Sequence, residues 1–141
     1  MSNAIETTNA PKAVGNYPHA RQVGKLLFLS GIGPRSAVDN SIPGNVYDAD
    51  KRLQSYDIAA QCHSVFENVN AVLTASGAGF NDLVDVTVYL TDMANDFKIY
   101  NQIWAEYFPD PVFAPCRTTL GITALPTPIA IELKCTAVLK D

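Results

Sequence analysis

A chain of 141 residues with 48% apolar and 17% charged residues has the size and balance of one soluble globular domain. No apolar run reaches the ~20 residues that a membrane-spanning helix needs. Ten Lys and Arg against 14 Asp and Glu give a net charge of -4, which argues against a nucleic-acid backbone as the main ligand.

Residues 1–9 lack periodicity and are expected to be a flexible N-terminus, with one domain over residues 10–141. Residues 17–23 and 26–30 read as two strands around a Gly24-Lys25 turn. The second strand is almost wholly apolar, so burial on both faces is expected. Residues 31–50 hold Gly33, Pro34, Pro43 and Gly44 and form a long loop or wandering edge strand, of a length that tends to cover a site. Between residues 55 and 76, Ile58, Cys62, Val65, Phe66, Val69, Val72 and Leu73 step by three and four. That spacing predicts a helix, stopped by Gly77 and Gly79. Residues 83–90 alternate, with Val84, Val86, Val88 and Leu90 on one side of a strand. A second helix over residues 95–108 carries Phe97, Tyr100, Ile103, Trp104 and Tyr107 on one side and ends at Pro109 and Pro111. Residues 116–122 and 129–139 are two closing strands joined by a loop containing Leu125-Pro126-Thr127-Pro128. The order β-β-loop-α-β-α-β-β predicts an α+β fold with both helices on one face of a mixed sheet. The other face then needs a cover, and a further copy of the chain is the expected one.

Three cysteines, an odd number in a chain without a secretory leader, exclude a closed disulfide framework, so reduced thiols and a cytoplasmic setting are expected. Two histidines and no CxxC or HExxH spacing leave no metal site to expect. Gly31-Ile32-Gly33 is a turn rather than a phosphate loop, and Ser30, Cys62 and His63 form no nucleophile motif. Cys116 and Cys135 are expected to pack, and Tyr100, Trp104, Tyr107 and Phe108 to be core.

The most informative stretch is the closing pair of strands, with its polar residues. As an antiparallel hairpin they pair Thr119 with Glu132 and Arg117 with Lys134, and put all four on one face. Thr118, Leu120, Ile131, Leu133 and Cys135 then meet the helices, and Arg117 and Glu132 become diagonal neighbours. A solvated ion pair is one reading, worth about 0–1 kcal/mol. The other is a cleft. There Arg117 grips a carboxylate through two parallel N–H bonds that Lys cannot reproduce, while Glu132 handles a proton or a water.

Several segments, in order, resemble the RidA/YjgF family of enamine and imine deaminases. They are Tyr17 followed by Gly24-Lys25-Leu26-Leu27-Phe28-Leu29-Ser30-Gly31, then Asp96-Phe97 to Tyr100-Asn101 with Ala105-Glu106-Tyr107-Phe108, then Arg117-Thr118-Thr119, Leu125-Pro126 and Ile131-Glu132. The resemblance runs over residues 10–140. It implies a chorismate-mutase-like fold and a homotrimer whose sheets line a central barrel, with an active site in each interfacial cleft. It also implies hydrolysis of small anionic enamine or imine acids to 2-oxo acids and ammonia, with neither metal nor organic cofactor. By position, Arg117 is implied to bind the substrate carboxylate and Glu132 to orient or activate water, with Tyr17, the Ser30-Gly31 backbone and Asn101 lining the cleft. Two departures stand out: Thr119 replaces the family's common Cys, and Asn16-Tyr17-Pro18-His19 replaces its Pro-Tyr-Ser. With Asp39-Asn40 and Ile131-Glu132-Leu133-Lys134, they look more like the 2-aminomuconate deaminase branch, which makes His19 a cleft candidate beside Thr119. The alternatives are a general 2-iminobutanoate and 2-iminopropanoate deaminase, a non-catalytic binder of small carboxylates and, weakest for an acidic chain, an RNA-directed function.

Overall fold

In the computed structural model, which describes residues 2–141, the chain runs β1 (Ser2–Ile5), β2 (Ala20–Val23), β3 (Leu26–Leu29), β4 (Val46–Tyr47), β5 (Leu53–Ser55) and α1 (Ile58–Ala75). A short 3-10 turn (Phe80–Asp82) then leads to β6 (Leu83–Leu90), α2 (Met93–Tyr107), β7 (Cys116–Gly121) and β8 (Ile131–Val138). Six strands form one sheet in the order β1-β2-β3-β8-β6-β7, and β4 and β5 form a separate small hairpin. The β6–β7 pair, connected through α2, is parallel, and the other pairs of the large sheet are antiparallel. This is the predicted mixed sheet with both helices on one face.

Local chemistry sets the helix ends. The Asp57 carboxylate accepts from the Ala60 N–H at 3.1 Å and that of Asp92 from the Asn95 N–H at 3.2 Å, each satisfying an orphan donor of a first turn. At the far end of α1, Gly77 takes a φ of +77°. The Ala78 N–H reaches the Leu73 carbonyl at 2.8 Å and the Gly77 N–H that of Thr74 at 3.1 Å, a Schellman stop.

The core lies between the helices and one sheet face. It takes Cys62, Val65, Phe66, Val69, Val72 and Leu73 from α1, and Tyr100, Ile103 and Trp104 from α2. The sheet contributes Leu27, Leu29, Val86, Val88, Leu90, Ile131, Leu133, Cys135 and Ala137. Phe66 stacks on Tyr107 with ring centroids 4.2 Å apart and clamps the two helices together. Burial pushes the Cys62 and Cys135 thiols up to about 12, so both are inert packing groups.

Five expectations are corrected. The closing strands form no hairpin, because β6 lies between β7 and β8. The physical reason is burial: Ile131, Leu133, Cys135 and Ala137 give β8 a fully apolar face that belongs at the sheet centre, whereas β7 alternates between half-buried and exposed residues and suits an edge. Within the segment expected to be flexible, residues 2–5 form a sheet edge, Ser2 opposite Val23 and Ile5 opposite Ala20. Backbone pairing to a free edge needs no side-chain periodicity. β3 is buried on one face only, with Leu26 and Phe28 exposed on the other. A bulge between Leu83 and Asp85 puts Leu83 in the core instead of Val84. Cys116 is exposed rather than packed.

The long loop is pinned to α1 by polar side chains one and two turns apart. Ser64 donates to the Pro34 carbonyl at 2.7 Å, and the Asn68 amide donates to Gly33 at 2.9 Å and Arg35 at 2.8 Å. Fully buried Gln61 accepts from the Ala130 N–H at 2.7 Å and donates to Asn45 at 2.9 Å. Asn45 in turn donates to the Pro128 carbonyl at 2.9 Å. Gln61 therefore ties the loop before β8 to the loop before β4. Gln61→Leu leaves two polar groups without a partner and is expected to lower stability by about 1–3 kcal/mol, read as a shift of the denaturant midpoint at unchanged slope.

Candidate functional site

The sheet register decides which predicted residues meet. Glu132 lies opposite Tyr89 in β6, and Arg117 lies opposite Val86. Because side chains alternate along a strand, Glu132 projects from the uncovered face and Arg117 from the face under α2. The two are not neighbours, which corrects the hairpin expectation. They head two separate groups of residues.

The first group reaches Glu132 through Gly31. The backbone at Gly31 runs so close that a Cβ there would stand 2.8 Å from a Glu132 carboxylate oxygen, a space only glycine leaves free. Glu132 is half-buried and has no hydrogen-bond or charged partner among the described residues. Burial alone pushes its carboxyl above the ordinary range. Tyr17, His19, Ser30 and Gly31 share a small pocket of about 30 Å³. Tyr17 and His19 also line an adjoining open groove of about 960 Å³. Ser30 donates its hydroxyl to the Pro18 carbonyl at 2.7 Å, which locks two of the cleft-forming segments together.

His19 has a structural task in this group. Its Nε2 lies 2.8 Å from the Pro11 carbonyl and its Nδ1 receives the Thr7 N–H at 3.3 Å. With Nδ1 accepting from Thr7, Nε2 is left to donate to Pro11, and both ring nitrogens are used. The ring straps residues 7–11 beside the pocket, leaving neither nitrogen free for a substrate.

The second group surrounds Arg117. Its guanidinium carbon sits 5.2 Å from the Tyr100 ring centroid and 5.0 Å from that of Trp104, both on α2. Thr119, two residues on and on the same face, meets the Tyr100 hydroxyl at 3.0 Å. Arg117 has no carboxylate partner among the described residues. Burial raises the Tyr100 phenol's pKa, against the opposing pull of Thr119 and Arg117. Asn101 is exposed on α2 next to Tyr100, apart from the Glu132 group.

The aromatic partners of Arg117 are contacts that the sequence hides. Tyr100 and Trp104 read as core and are core, at 0% and 8% exposure. Their i, i+4 spacing on a helix facing an arginine strand is the one available signal, and it is unreadable until β7 is known to lie under α2. The exposed apolar residues Leu26, Phe28, Leu120 and Val138 lie on the uncovered face with Glu132 and Lys134. Exposed apolar residues grouped on one face are the kind of surface that an interface buries.

Comparison with known proteins places the architecture. Residues 7–139 match the family described as Endoribonuclease L-PSP. A RutC family protein of Pyrococcus horikoshii is 36% identical over 140 residues, 97% of this chain and 98% of that one. Reactive Intermediate Deaminase A, chloroplastic, of Arabidopsis thaliana is also 36% identical, over 96% of this chain and 65% of its own longer one. Among solved structures, Escherichia coli TdcF with bound serine superposes with a TM-score of 0.83 at 29% identity, covering 98% of this chain and 99% of that one. With the family matched from the strap at residue 7 to the end of the sheet, and with both groups of residues inside that span, this chain belongs to the Endoribonuclease L-PSP family, whose members include reactive intermediate deaminases.

Proposed function

We propose that the protein is a hydrolytic deaminase that converts small enamine and imine carboxylic acids to 2-oxo acids and ammonia without a cofactor, in the cytoplasm, with 2-aminomuconate as its substrate. The observation that carries this reading is the pair of unpartnered charges, Arg117 and Glu132, on opposite faces of one sheet. One protomer cannot bring both to one substrate. A homotrimer can, with Glu132, Gly31, Ser30 and Tyr17 of one copy facing Arg117 and Thr119 of the next across the interface, and the exposed apolar residues of the sheet face buried between copies. Asn101, exposed beside the Arg117 group, lines the same cleft.

In that cleft Arg117 fixes the substrate carboxylate through its N–H edge. The enamine gains a proton at carbon to become the imine, whose protonated nitrogen makes the C=N carbon electrophilic. Glu132 holds the water and takes its proton as the C–O bond forms. Collapse of the carbinolamine breaks the C–N bond, so imine plus water become 2-oxo acid plus ammonia. The bound serine of the E. coli relative supports a small amino or imino acid as occupant. Thr119 in place of a thiol, together with Tyr17-Pro18-His19, supports the muconate within that class. The relatives named reactive intermediate deaminases keep a general 2-iminobutanoate and 2-iminopropanoate deaminase as the competing reading.

Four measurements test this. Ammonia release from 2-aminomuconate is expected to exceed that from 2-aminoacrylate and 2-iminobutanoate generated in coupled assays, and the reverse order moves the protein to the general imine deaminases. Arg117→Ala and Glu132→Gln are each expected to lose at least about 100-fold in kcat/KM. Equal amounts of the two variants, unfolded and reassembled together, are expected to recover roughly one quarter of the parental rate, since every mixed trimer rebuilds one intact cleft of three. Residues that work within one chain restore nothing on mixing. Finally, a base with a raised pKa is lost at higher pH than an ordinary carboxylate. As pH falls, the parental rate is therefore expected to drop through a limb above the usual Glu range, and Glu132→Gln to lack that limb.

A further inference from the structure

Arg117 is the group on which the proposed function most depends, and it lacks the carboxylate that usually holds a half-buried arginine in place. Two aromatic faces do so instead. Tyr100 and Trp104, one turn apart on α2, stand with their rings 6.4 Å apart at 64°, and the guanidinium occupies the corner between them at 5.2 and 5.0 Å. Tyr100 is fully buried and its hydroxyl meets Thr119 at 3.0 Å. The corner is therefore fastened to the same strand that carries the arginine.

We propose that Tyr100 and Trp104 are positioning residues that set the direction in which Arg117 presents its N–H edge, and thereby restrict the ligand to a planar carboxylate approaching in the plane of the guanidinium. The proposal rests on the reading of Arg117 as the carboxylate anchor. The physical basis is the shape of the group. A guanidinium donates hydrogen bonds only in its plane, and its faces are weakly hydrated and attracted to π-systems. Two ring faces against the group hold its rotamers, and no described carboxylate claims its N–H donors, so a substrate carboxylate meets donors already in place and less ordering is lost on binding. Thr119 acts at one remove: its hydroxyl holds the Tyr100 ring at the angle the corner needs. This gives Thr119 a positioning task beside its place in the proposed cleft.

The chain has a single tryptophan, Trp104, which makes the corner observable. The trimeric parent is compared with Trp104→Phe, Trp104→Leu, Tyr100→Phe and Thr119→Val by two readouts. The first needs no ligand: the Arg117 Nε–H resonance, assigned by its loss in Arg117→Lys, is expected to be rigid and displaced by ring currents in the parent, and mobile in Trp104→Leu. The second is calorimetric titration with 2-oxobutanoate, with Trp104 emission followed in the Trp-containing proteins. Trp104→Leu is expected to weaken binding and raise KM about 10-fold with kcat nearly unchanged, while Trp104→Phe, which keeps a ring face, stays within about threefold of the parent. Tyr100→Phe and Thr119→Val are expected to cost a few-fold each and no more when combined, because they remove the same hydrogen bond. Should Trp104→Leu fail to assemble, the Trp104→Phe, Tyr100→Phe and Thr119→Val series still decides by the same two readouts. An Arg117 Nε–H as mobile in the parent as in the variants overturns the proposal. So does equal affinity in Trp104→Leu and parent, or additive losses in the Tyr100→Phe, Thr119→Val double variant. A parent that shows the rigid Nε–H yet does not bind 2-oxobutanoate leaves the corner standing and overturns the carboxylate role of Arg117 instead.

Discussion

The requirement that Ile131, Leu133, Cys135 and Ala137 face the helices governs the rest of the structure. These four are at most 1% exposed, so β8 takes the centre of the sheet between β3 and β6. Alternation along the strand then turns Glu132 and Lys134 to the uncovered face, with no freedom left in the matter. The same burial sends β7 to the edge under α2, where Arg117 finds Tyr100 and Trp104 rather than a carboxylate. Packing thus separates the two charges most able to neutralise each other.

That separation has an electrostatic consequence. An arginine and a glutamate paired across a strand would satisfy each other and offer a ligand little. Here the Arg117 charge rests on ring faces and the Glu132 carboxyl, half-buried without a donor, is pushed toward its neutral form. Both keep unused hydrogen-bonding capacity. The sheet face that carries Glu132 also leaves Leu26, Phe28, Leu120 and Val138 exposed, an apolar area of the kind that interfaces bury.

The loop after β3 and the approach to β8 are held by polar side chains of α1. Ser64 and Asn68 fix the carbonyls of residues 33–35, and Gln61 fixes the approach to β8. His19 straps the stretch before β2. A helix that looks amphipathic in sequence is thus a core element on one side and a rack for loop carbonyls on its flank. Gly31 completes the arrangement by letting backbone approach the Glu132 carboxylate where any side chain would displace it.

Much of this was legible in the residues alone. The three-and-four spacing of α1, the alternation of β6 and the proline stop of α2 are local signals, complete within a few residues, and they appear in the structure at those places. The resemblance of the whole chain to a deaminase family was legible too, and the family match over residues 7–139 bears that out. Which face each charge occupies was not legible, nor the exchange of a β7–β8 hairpin for a strand inserted between β3 and β6, the pairing of residues 2–5 or the task of His19. Each of these depends on which distant segment wins a neighbour, a competition of burial and backbone pairing between parts of the chain far apart in sequence. Periodicity tells a strand which of its sides is apolar; only the assembled sheet decides what that side, and the other, will meet.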